Sequence, residues 1–199
     1  QGCCGALTTT FGGLSVLNFN VSAVIFTATT VAADTTPPVL TLPGDITVDA
    51  TSSQGAIVNY TVTATDNSGV TPTVSCSPPS GTTFAIGATN VNCTATDAAN
   101  NSSTGSFTVT VNGAKEQLSD LITLVGMLSN PFRNRLENKV EHAIDALEAM
   151  KRGSTLKACI SLRLFIFETQ IQSGKKLPVN QADLLIESAE QIRAVLGCH

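Results

Sequence analysis

Neither lysine nor arginine occurs in the first 113 residues of the chain. A surface without cations has nothing to grip a phosphate backbone, which argues against nucleic-acid binding there. The remaining residues hold all 11 basic side chains together with ten of the 15 acids, too mixed in sign to restore the idea. Tryptophan is absent, tyrosine occurs once and aromatics make up 5% of the chain, which argues against a site that stacks sugars on aromatic rings. Histidine occurs twice, at His142 and His199, and neither has the second histidine of an HExxH pair. Glu141 beside His142 points elsewhere on a helix, because adjacent helical positions do not face each other. No CxxC, CxxCH, GxSxG, P-loop or paired-carboxylate signature is present, which leaves no motif for zinc, haem or catalysis. No uninterrupted apolar run reaches the ~20 residues of a membrane span. The chain is read as non-enzymatic, with no cofactor.

What is present points outside the cell. Six cysteines, Cys3, Cys4, Cys76, Cys93, Cys159 and Cys198, favour disulfides and an oxidising compartment. Sequons at Asn20, Asn59, Asn92, Asn100 and Asn101 agree with export and mark candidate glycan sites, the last two overlapping. The sharp change in charge near residue 113 is a domain boundary by composition alone.

Residues 1–33 are uncharged. Within them Leu17, Phe19, Val21 and Ala23 alternate with Asn18, Asn20 and Ser22, the period of a strand with one buried face. Such a strand needs an edge to pair with. It is read first as a donor strand for the next subunit's sheet, and second as a strand of its own sandwich. A retained secretory signal is the third reading; the missing basic n-region and the interrupting asparagines weigh against it. Cys3 and Cys4 fit a vicinal bond, bonds elsewhere in the chain, or bonds to another subunit.

Residues 34–112 carry short alternating runs at 39–42, 46–49, 57–65, 73–76, 90–96 and 106–111. Turn clusters such as Pro43-Gly44-Asp45 and Asp66-Asn67-Ser68-Gly69 separate them, the pattern of a sandwich or barrel. Asp34-Thr35-Thr36-Pro37-Pro38-Val39, Ala64-Thr65-Asp66-Asn67-Ser68-Gly69, Val74-Ser75-Cys76, Phe84-Ala85-Ile86-Gly87, Val91-Asn92-Cys93-Thr94-Ala95-Thr96-Asp97 and Gly105-Ser106-Phe107-Thr108-Val109 together resemble a hyalin repeat (HYR) domain. The resemblance implies an immunoglobulin-like β-sandwich, a Cys76–Cys93 disulfide and adhesive or structural roles outside the cell. Asp66 and Asp97 each end an Ala-Thr-Asp run. Ca²⁺ could use such carboxylates, but an Asx turn is the favoured reading, because two carboxylates are few for that ion.

Residues 115–199 are helical by pattern. Leu118, Leu121, Ile122, Val125 and Leu128 form one helical stripe, stopped at Asn130-Pro131. Leu136, Val140, Ile144 and Leu147 form a second, ended by Gly153; residues 156–173 form a third, closed by Gly174. Asn180 is expected to cap a fourth at 181–196, ended by Gly197. Four helices with brief loops suit a small antiparallel bundle, with Cys159 and Cys198 placed for a staple. Ala158-Cys159, Phe165-Ile166, Ile171-Gln172-Ser173-Gly174-Lys175-Lys176-Leu177 and Ile192-Arg193-Ala194-Val195-Leu196-Gly197-Cys198 resemble the FIMAH domain, a C-terminal helical module of exported prokaryotic proteins. That resemblance implies no activity and points to a prokaryotic source.

The expected architecture is therefore multidomain β + α: an N-terminal strand extension (1–33), an immunoglobulin-like sandwich (34–112) and a four-helix bundle (115–199). The expected role is an extracellular filament or surface-layer subunit whose partners are copies of itself. The alternatives are a cell-surface module binding glycans or proteins, with loops such as 77–83 at its binding face, or an appendage of a secreted enzyme.

Overall fold

The protein is represented by a computed structural model that describes residues 33–129, 131–149 and 153–198. The chain divides into two units, Gln1–Ala33 and Asp34–His199. The second unit is a β-sheet domain followed by four helices.

Eight strands form the β domain: β1 (Val39–Thr41), β2 (Ile46–Asp49), β3 (Ala56–Val58), β4 (Thr63–Thr65), β5 (Thr73–Ser77), β6 (Thr82–Phe84), β7 (Gly87–Thr96) and β8 (Ser102–Asn112). The main sheet has the order β2-β8-β7-β5, while β1 pairs with β4 and β3 with β6. Alternation decides which side is buried. Val91, Cys93 and Ala95 of β7 and Phe107, Val109 and Val111 of β8 face the core, and the Thr and Asn between them do not. β2 runs parallel to β8, with Ile46 opposite Val109 and Asp49 opposite Asn112. Gly55 holds a φ of +117°, and a Cβ there would lie 1.8 Å from the Phe84 carbonyl oxygen, so the start of β3 requires glycine.

Three expectations are corrected. The run 57–65 is two strands in two sheets, because Ser80 takes both backbone groups of Tyr60. Tyr60 N–H donates to Ser80 Oγ and Ser80 Oγ–H donates to the Tyr60 carbonyl, each at 2.8 Å. β8 begins at Ser102, four residues before the expected run at 106–111; its hairpin closes through Asp97 N–H to the Asn101 carbonyl at 3.0 Å, with Asn100 left-handed at φ +67°. The fourth helix begins at Val179 behind Pro178, whose fixed φ suits a helix start, so Asn180 lies inside the first turn and caps nothing. β6 carries no alternation of its own in the sequence and emerges only through its pairing with β3.

The helices are α1 (Ala114–Gly126), α2 (Arg133–Glu148), α3 (Ser154–Gln172) and α4 (Val179–Leu196), and they pack in the cyclic order α1, α2, α3, α4. The buried residues of sheet and helices form one continuous apolar cluster, from Val91 and Phe107 to Leu118, Leu121, Phe165 and Ile192. The change in charge at residue 113 falls between β8 and α1, and polar contacts bridge it. Glu116 accepts the Gly113 N–H at 3.1 Å. The buried Gln117 amide donates to the carbonyls of Ala50 at 3.0 Å and Asn112 at 3.2 Å. Gln191 of α4 reaches the same Ala50 carbonyl at 3.3 Å.

Candidate functional site

The ends of three strands bring charge together in the cation-free β domain. Asp34 precedes β1, Asp66 follows β4 and Asp97 follows β7, and one oxygen of each lies within 4.8 Å of the others. Local hydrogen bonds hold the group. Ser68 N–H donates to Asp66 Oδ2 at 2.8 Å. Asn101 donates its N–H to Asp97 Oδ1 and its Nδ2 to Asp97 Oδ2, both at 2.8 Å, and the same Nδ2 reaches the Asp34 carbonyl at 3.1 Å. Thr36 N–H at 3.0 Å and Asn67 Nδ2 at 3.2 Å donate to Asp34 Oδ1. These two donors, the Thr36 amide first, hold the Asp34 carboxyl below its ordinary value of 3.8. Asp97 is buried, and Asp66 Oδ1 is a buried oxygen with no hydrogen-bond partner.

The Asx turn expected at Asp66 is formed, through the Ser68 N–H two residues on, whereas the Asp97 carboxylate accepts the N–H of Asn101, four residues on. An all-oxygen set of this kind is also what a hard cation such as Ca²⁺ takes, and these three carboxylates are the residues that could hold one. Sequence reasoning missed Asp34. Its only signal was its place at the head of the HYR-like segment, because no spacing links it to the other two.

The second feature is sulfur. Cys76 and Cys93 stand directly opposite on β5 and β7 and are joined, with Cα atoms 4.1 Å apart. Cys159 of α3 joins Cys198 just beyond α4, with Cα atoms 5.7 Å apart. The third feature is the loop after β5. The Tyr60 hydroxyl donates to the Pro78 carbonyl, and the Tyr60 ring meets Phe107 edge-on at 5.0 Å. Beside it, Tyr60, Val62, Val74 and Pro79 line an open cleft of about 310 Å³.

Of the candidate glycan sites, Asn59, Asn92 and Asn100 are exposed, whereas the Asn101 amide is committed to Asp97 and Asp34. His142 is exposed on α2. Cys3, Cys4, Leu17, Phe19, Val21, Ala23, Asn20 and His199 lie outside the described residues. Among the described residues no helix is long and apolar enough to cross a membrane.

Residues 33–111 match the HYR domain family, so the β region is an HYR domain. The chain is 40% identical over 165 residues to a hyalin of Lytechinus variegatus, an alignment covering 81% of this chain and 30% of that protein. It is 37% identical over 95 residues to a hyalin of Strongylocentrotus purpuratus, covering 46% of this chain and 8% of that protein. The chain thus spans less than a third of either hyalin. No solved structure gives a significant match.

Proposed function

We propose that the chain is an extracellular, non-enzymatic adhesion and assembly module with an immunoglobulin-like sandwich. The observation that carries this reading is the HYR domain at residues 33–111. It is supported by the likeness to two hyalins and by a disulfide in each half of the unit. In the filament form of this reading, residues 14–31 pair with a free sheet edge of the next subunit; β2 and β5 are the outer strands of the main sheet. Cys3 and Cys4 would then lock the joint. Sugars on Asn59, Asn92 and Asn100 would shield the sandwich, and the helical part would act as a FIMAH-like module at its end. No cofactor is assigned; Ca²⁺ held by Asp34, Asp66 and Asp97 is the less favoured reading.

The test coats beads with the secreted protein and scores aggregation, alongside negative-stain microscopy of the free protein with and without residues 1–33. Aggregating beads carry the adhesive reading. Fibres that vanish on truncation carry its filament form. Inert beads and single particles throughout would sink both.

A further inference from the structure

The third helix is apolar on two opposite sides. Ala158, Leu162, Phe165, Ile166 and Thr169 are buried against α2 and α4. Leu156, Ile160, Leu164, Phe167 and Ile171 are 65%, 51%, 49%, 58% and 43% exposed. At 100° per residue these five lie within an arc of roughly 80°, centred about half a turn from the buried set. Apolar residues scattered singly on a surface are ordinary, but an unbroken row along one helix marks a contact face. Lys157 flanks the row on one side and Arg163 on the other, both exposed. Neither makes an ion pair among the described residues.

A complementary surface lies between α1 and α4. Leu124, Met127, Leu128, Leu184 and Leu185 line a groove of about 150 Å³, with Met127 75% exposed and Leu184 50% exposed. Acidic side chains stand close to its lining in sequence, Asp120 one turn before Leu124, Asp183 next to Leu184 and Glu187 three positions after it. Asp120 of α1 and Asp183 and Glu187 of α4 are exposed, and none makes an ion pair among the described residues. One part of the chain thus presents an apolar ridge with a cationic border, and another an apolar groove with acidic residues close to it in sequence.

We propose that these two faces bind each other between copies of the chain, the α3 ridge of one copy seated on the α1/α4 groove of the next. The borders select this arrangement, because ridge against ridge would set Lys157 and Arg163 against their own kind. The contact is heterologous, so each copy keeps a free ridge at one end and a free groove at the other, and copies add head to tail. It needs nothing from residues 1–33.

The test is sedimentation velocity of the full chain over a concentration series, together with the variants Leu164→Glu on the ridge and Leu184→Glu in the groove. Both positions are half-exposed, and circular dichroism checks that both variants fold. The parent chain should associate with rising concentration, and each variant alone should stay monomeric, its dissociation constant raised at least tenfold. An equimolar mixture of the two variants should form a dimer and nothing larger, since it contains one intact ridge facing one intact groove. A parent chain that stays monomeric would overturn the proposal. So would variants that assemble as far as the parent, which would leave strand pairing as the joint. A mixture no more associated than its components would overturn it too, as would Leu164→Glu abolishing binding to anionic phospholipid vesicles in a chain that never self-associates.

Discussion

Gln117 ties the two halves of Asp34–His199 together. It is 5% exposed, and its amide satisfies two carbonyls at the sheet end, Ala50 and Asn112. Truncating it removes both bonds, although the Ala50 carbonyl keeps Gln191 Nε2 at 3.3 Å and the Asn112 carbonyl keeps the Ala50 N–H at 2.9 Å, so the loss is the net worth of the two bonds, about 0.5–1.5 kcal/mol each. Gln117→Ala should therefore lower the thermal midpoint clearly, and a midpoint unchanged in calorimetry would show that the bonds to Ala50 and Asn112 contribute nothing. Asp34 gives a pH signature. Its folded carboxyl titrates below 3.8, so the stabilisation it supplies is complete above that value and is lost as pH falls below it. Melting curves between pH 5 and 2 should fall less steeply for Asp34→Asn than for the parent chain; parallel curves would contradict this. Neither residue was singled out by the sequence. A glutamine in the first turn of an amphipathic helix reads as solvated, and Asp34 draws its importance from Asn67 and Asn101, distant partners that only folding brings near.

At the scale of elements, most helices and half the strands were legible, because period carries through wherever one face is buried. Ile46–Asp49 matches its expected run end to end, and the stripe from Leu118 to Val125 lies within α1. Legibility failed where side chains replaced a ladder, as Ser80 does at Tyr60, and where a helix was apolar on two sides, as α3 is. The run 156–173 gave the helix but not its second face, because a helix apolar on both sides looks from sequence like one wholly buried. The cysteine placed in that helix makes a further prediction. Cys159 and Cys198 close a loop spanning 39 positions, and the chain-entropy argument assigns such a loop about 4 kcal/mol. The double variant Cys159→Ser/Cys198→Ser should lose a large part of that in urea unfolding, with the loss confined to the helices by far-ultraviolet dichroism. Unfolding indistinguishable from the parent would mean that apolar packing alone holds α3 to α4.

At the scale of the whole molecule, the charge break at residue 113 coincides with the change from sheet to helix, yet the core runs through it without a gap. Composition reports surfaces, and a surface can change sign above a continuous interior. The candidate site was half legible for a related reason, since Asp66 and Asp97 share a local motif while Asp34 joins them only in space. Tension brings out what the sulfur staples and the parallel β2–β8 pair do together. A pull along the chain loads β2 and β8 in shear, with all their bonds strained at once rather than one after another. Beyond the sheet the pull passes from Cys159 directly to Cys198, so α4 lies off the line of force. In single-molecule stretching the oxidised protein should hide roughly 130 Å of the contour length of its 39-position loop, which reductant releases. Pulled from its ends, the chain can yield in its sheet before its last helix feels the load.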